Sequence, residues 1–168
     1  MKKIILDTNV YGRMAKETKP YEILNNIQSQ HSLIFYGVRE VIRKEIRETP
    51  KDIRILNNKS LRMLLLSLYD SIVKEHELRL NERVEFIAKR YYDLYKEFGG
   101  GTSISSIMND FLIIACASVN NMDIVVSEDS RTMFSEHSLK AYTLINKTLN
   151  LRSPEFVDYN KFKRWFSL

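Results

Sequence analysis

Apolar residues gather in three short continuous runs: Ile4 to Leu6, Leu33 to Tyr36 in SLIFYG, and Ile124 to Val126 in MDIVVSED. Runs without polar alternation predict strands covered on both faces, as at the centre of a parallel sheet. Between the first two, the segments around Val10 to Ala15 and Tyr21 to Ile27 have helical spacing and are separated by Pro20. This alternation of strand, helix and strand predicts an α/β domain, a three-layer α/β/α arrangement around a central parallel sheet.

Beyond the second run, helical stripes dominate the chain. Val38, Val41, Ile42 and Ile46 form one that ends before Pro50. Leu61, Leu64, Leu65, Leu68 and Ile72 form a second, and Val84, Ile87, Ala88, Tyr91, Tyr95 and Phe98 a third. With no apolar run between the last two, they predict a long helical hairpin between strands two and three, inside a helical insertion over about 53–98. The glycines of GGGTS, Gly99 to Gly101, have neither the lysine nor the leading strand of a phosphate loop, so they predict a hinge. Ser105 or Ser106 is placed to cap the next helix, whose run Phe111 to Ala117 is close to continuous and therefore central. A further helix is expected around Glu136 to Leu149, then an edge strand or packed extension in FVDYNKFKRWF. There is no repeat or low-complexity tract, and 168 residues with 44% hydrophobic content suit one domain over 1–168.

Charge adds a direction. The 26 Lys plus Arg against 21 Asp plus Glu give net +5 and lean towards an anionic partner without establishing one. The lone cysteine, Cys116, lies within FLIIACA, where it is expected to pack as a small hydrophobe; a disulfide within the chain is excluded. MKKIILDTN starts as a signal peptide does, but Asp7 interrupts its apolar run after three residues. No window approaches the roughly 18 apolar residues of a membrane span, so a soluble, cytoplasmic protein is expected.

Candidate chemistry lies in four acids. Asp7 closes the first strand and Asp129 follows the third; groups beyond the carboxyl ends of parallel strands line the crevice where ligands bind. Glu45, in VIRKEI, sits on the helix after strand two, among the buried Val41, Ile42 and Ile46. Asp110, in MNDFLIIACA, is read at the start of the most apolar helix, where the helix dipole alone can account for an acid. If the four converge, each raises the others' pKa, and a compensating cation is required. Oxygen ligands suit Mg²⁺ or Mn²⁺, and His31, His76 and His137 are not spaced as a zinc pair.

The same residues resemble the PIN-domain nucleases. IILDTN, VIRKEI, NDFLIIACA and SED match, in order, the four acidic patches of that family, at Asp7, Glu45, Asp110 and Asp129. The likeness covers 1 to about 50 and about 103 to 135. It implies a PIN-like fold, a Mg²⁺- or Mn²⁺-dependent endoribonuclease, and these four acids as both metal ligands and catalytic groups. A toxin restrained by an antitoxin protein, or an RNA-processing enzyme, are the settings implied, with a homodimer also implied. Asn9, Ser127 and Arg131 are the candidate substrate-binding residues, and Glu40 competes with Glu45 for the second acidic position. Two alternatives stay open. One is a nucleic-acid-binding or assembly module on the same fold without turnover. The other is a haloacid-dehalogenase-type phosphatase, against which stands Asn9 in place of that family's second aspartate.

Overall fold

The chain, described by a computed structural model over residues 1–55 and 58–166, is organised around strand β1, Lys2–Leu6. Residues 56–57 of the expected insertion lie outside the described residues. Ile4, Ile5 and Leu6 are fully buried because both faces of the sheet are covered. Helix α1 (Thr8–Ala15) starts at once, with Asp7 as its N-cap, and α2 (Pro20–Gln28) takes Pro20 at its first position, where no backbone N–H is missed. Strand β2 (Leu33–Val38) then pairs parallel with β1, Ile4 opposite Phe35.

After β2 comes one turn of π-helix, Arg39–Arg43, continuing into α3, Lys44–Glu48. A two-stranded antiparallel hairpin, β3 (Arg54–Ile55) with β4 (Lys59–Ser60), stands apart from the main sheet. The two long helices are present as α4, Leu61–Val73, and α5, Glu82–Glu97. They do not form the expected hairpin. A short strand, β5 (Glu77–Leu78), lies between them and pairs with β2; two residues are too few to leave an apolar run in the sequence. Helix α4 packs on α1, α2 and α3, whereas α5 packs on α6 and α7.

Helix α6 spans Ile104–Val119, followed by β6 (Ile124–Val126), α7 (Glu136–Thr148), β7 (Glu155–Val157) and α8 (Tyr159–Arg164). The C-terminal tail thus forms both an edge strand, parallel to β6, and a packed helix. Ser103, not Ser105 or Ser106, is the N-cap of α6, one residue ahead of Ile104.

The five-stranded sheet has the order β5-β2-β1-β6-β7, all neighbours parallel. The packing groups set α1 to α4 apart from α5 to α7, as expected if right-handed crossovers put them on opposite faces of the sheet. This is the three-layer, PIN-like α/β/α architecture. The chain runs outward from β1 to β2 and β5, then returns to β6 on the other side of β1. The reversal leaves a crevice at the carboxyl ends of β1 and β6.

Candidate active site

Asp7 lies in that crevice, 5% exposed. Its position follows from β1: the first residue past a fully buried strand stays among buried neighbours. The carboxylate is held by three donors. The Thr8 amide donates to Oδ1 at 2.7 Å; Asn9 Nδ2 and Ser127 Oγ donate to Oδ2 at 2.8 and 2.7 Å. Burial pushes this carboxyl up to about 6, the Ser127 and Thr8 hydrogen bonds oppose the rise, and the charges of Glu45 and Asp129 add to it.

Asp110 is a correction to the sequence reading. It occupies the seventh position of Ile104–Val119, not the first turn, so the helix dipole does not account for it. Burial again pushes its carboxyl up, to about 7, against the Thr132 hydrogen bond, with Asp7, Asp129 and Glu45 adding charge. Each of the two aspartates thus feels the charge of other acids among the four.

Asp129 sits in a tight turn after β6. Its Oδ1 accepts the amides of Arg131 and Thr132 at 2.9 and 2.8 Å, and its Oδ2 accepts the Thr132 hydroxyl at 2.6 Å. That same hydroxyl is hydrogen-bonded to Asp110 Oδ2. Glu45, half-buried on α3, accepts the Thr8 hydroxyl at Oε2 and Asn109 Nδ2 at Oε1, the latter at 2.6 Å. The contacts close a ring from Glu45 through Thr8, Asp7, Ser127, Asp129, Thr132 and Asp110, whose chain neighbour Asn109 returns to Glu45.

The competing Glu40 faces elsewhere: its carboxylate meets Arg79 Nη1 at 3.5 Å and the Leu80 amide at 3.3 Å. Glu128 likewise turns away, accepting the Tyr159 amide at 3.0 Å at the start of α8.

Among the expected substrate-binding residues, Asn9 directs its side-chain amide to Asp7 and to Ser127 Oγ, the latter at 3.1 Å, while its Oδ1 accepts the Glu128 amide at 3.1 Å. It is a strut across the crevice that aims Asp7. Ser127 is fully buried and links Asp7 to the Asp129 amide, 3.0 Å from its Oγ. Arg131 is exposed at the rim. Sequence reasoning missed Thr8 and Asn109 as partners of Glu45, although each adjoins one of the four acids. It also missed Thr132, whose only signal is its place three residues after Asp129, where an aspartate-led turn bonds back to its own carboxylate.

The chemistry of the donor set fits a hard divalent cation: carboxylate oxygens, two of them on acids whose ionised form burial disfavours. The spacing is looser than the chemistry. Among the described residues no three His, Cys, Asp or Glu side chains crowd a single point as ligands of one ion do. Hydroxyl and amide donors sit between the acids instead and link each to the next.

The fold is a PIN-like α/β/α domain, and the acids lie in a crevice at the reversal of its sheet. The crystal structure of VapBC2 from Rickettsia felis bound to a DNA fragment from their promoter is similar, with a TM-score of 0.58 and 11% identity, over 93% of this chain and 98% of that one. At that identity the likeness is one of fold. No family model matches the chain. A curated protein, Hapless 2 of Plasmodium berghei (strain Anka), is 30% identical over 81 residues, which is 46% of this chain but only 9% of that protein.

Proposed function

We propose that this protein is a metal-dependent endoribonuclease. The observation that carries the reading is the ring of four acids at the switch point of the parallel sheet, two of them with carboxyls pushed up by burial and by their neighbours' charge. Asp7, Asp110 and Asp129 are the ligands we assign to Mg²⁺ or Mn²⁺, with Glu45 as a further ligand or as the base that positions water. When bound, the ion lowers the pKa of a water and stabilises the charge that builds on the phosphodiester oxygens.

The protein's own groups prepare this. Asn9 and Ser127 fix the Asp7 carboxylate and set its orientation in the crevice. Thr132 holds Asp110 and Asp129 within two hydrogen bonds of each other. Thr8 and Asn109 turn Glu45 inward. We assign it the role of the toxin of a toxin–antitoxin pair, with an antitoxin protein as partner, on the resemblance of its four acidic patches to those of PIN-domain nucleases; the fold likeness to VapBC2 over nearly the whole chain supports that fold.

The spacing of the acids favours one other reading, a nucleic-acid-binding module without turnover. One assay separates the two: mixed-sequence RNAs incubated with Mn²⁺ or EDTA, using wild type and Asp110→Asn. Cleavage that needs Mn²⁺ and falls on the order of a hundredfold in the variant supports the nuclease. Binding that survives EDTA, with no RNA cut under either condition, overturns it in favour of the binding module.

A further inference from the structure

A ring of carboxylates repels a polyanion, so RNA that reaches it must be held by cations beside it. The carboxyl edge of the sheet supplies a cluster of them on the β2 and β5 side. Arg39 follows β2, Arg79 follows β5, and Arg43, Lys44 and Arg47 continue along the π-helical turn and α3. These five side chains and Glu40 line one shallow pocket of about 210 Å³.

Three of the five are steered by neighbours. Arg39 meets Glu77 at 3.3 Å, Arg43 forms two bonds to Asp70 at 3.1 and 3.2 Å, and Arg79 meets Glu40 at 3.5 Å. Lys44 and Arg47 are exposed and make no ion pair among the described residues. Strands in a sheet lie ~4.8 Å apart. The ends of β2 and β5 are therefore one and two strand spacings from the end of β1, where Asp7 sits. Cations that start one and two strand spacings away flank the crevice on the side along which a bound strand would continue, and Glu45 joins the two regions, flanked in sequence by Lys44 and, two residues on, Arg47.

We infer that this pocket is a backbone track: Lys44 and Arg47, with Arg39, Arg43 and Arg79 behind them, bind the phosphates that flank the scissile bond of single-stranded RNA. The inference rests on the nuclease reading and names how its substrate enters, from the β5 side of the sheet.

The test is binding of a labelled mixed-sequence single-stranded RNA to the full chain in EDTA, by fluorescence anisotropy across a salt series, followed by cleavage in Mn²⁺. Lys44→Ala/Arg47→Ala is compared with Lys2→Ala/Lys147→Ala, which removes the same charge from the start of β1, at the opposite end of the strands, and from α7. The track variant is expected to bind about tenfold more weakly at low salt, with a salt slope smaller by about 1.4, two contacts at about 0.7 each. Its cleavage at saturating RNA stays within about twofold of wild type while KM rises. Equal losses in both double variants, or none in either, overturn the track, as does a wild type that binds no RNA. A wild type that binds through Lys44 and Arg47 but never cuts supports the track and overturns the nuclease reading alone.

Discussion

Asp7 and Asp110 are both carboxyls raised by burial, yet their surroundings make them respond differently to loss of charge. Among the described residues Asp110 has a single side-chain partner, the Thr132 hydroxyl, to whose oxygen an asparagine amide can donate while the hydroxyl proton stays with Asp129. Asp110→Asn should therefore raise the stability of the metal-free protein at pH 8 by on the order of 1–3 kcal/mol, since each pKa unit of displacement is worth ~1.4 kcal/mol. Asp7 receives N–H donors on both oxygens, from Thr8 and Asn9, so an asparagine amide there must face one of them. Asp7→Asn should gain less than Asp110→Asn or lose stability, and thermal melts in EDTA at pH 8 rank the two. A larger gain for Asp7→Asn would mean that the donors around Asp7 do not hold its charge. The sequence marked both acids because each interrupts or borders an apolar run. It did not mark Thr132, since a threonine in a polar turn has many uses and only the fold brings α6 within its reach.

At the level of elements, the helical pattern breaks in two places. Glu40 and Glu45, five residues apart across the π turn at Arg39–Arg43 and the start of α3, point different ways: Glu40 faces Arg79 while Glu45 faces the crevice. The sequence leaves both as candidates because both lie on the helix after strand two, and only the fold shows which of its faces turns to the crevice. Gly99 and Gly100, expected as a hinge, are instead a helix cap. Gly99 has φ +97°, and the amides of Gly99 and Gly100 bond back to the carbonyls of Lys96 and Tyr95 at 3.0 and 2.8 Å. A Cβ on Gly100 would stand 2.3 Å from the Tyr95 ring, which itself packs on Phe111 next to Asp110. Gly100→Ala should cost about 1–3 kcal/mol through displacement of Tyr95, whereas Gly101→Ala, with nothing within 4 Å, should be close to neutral. Denaturant midpoints of the two variants check the cap, and equal midpoints restore the hinge.

At the scale of the whole molecule, the β-α-β order was legible because central parallel strands must be apolar on both faces, and the chain's return from β5 to β6 puts two strand ends with acids side by side. Strand β5 was not legible: two residues, Glu77 and Leu78, pair at the sheet edge with no pattern to announce them. The concentration of negative charge at the switch point has a global consequence. The folded carboxyls of Asp7 and Asp110 lie at about 6 and about 7, above the ordinary aspartate value of 3.8, so the folded state binds their protons more tightly than the unfolded chain. Their contribution to stability is complete below pH ~4 and is lost as pH rises through ~6 to ~7. The metal-free protein should then melt about 5–10 °C lower at pH 8 than at pH 5. A divalent ion bound only by the ionised, folded form reverses the trend, so Mn²⁺ should raise the melting temperature at pH 8 and do little at pH 5. An Asp7→Asn/Asp110→Asn double variant should show neither the fall with pH nor the rise with Mn²⁺. If it keeps both, the charge that limits this fold lies outside the crevice, and the four acids have no ion in common.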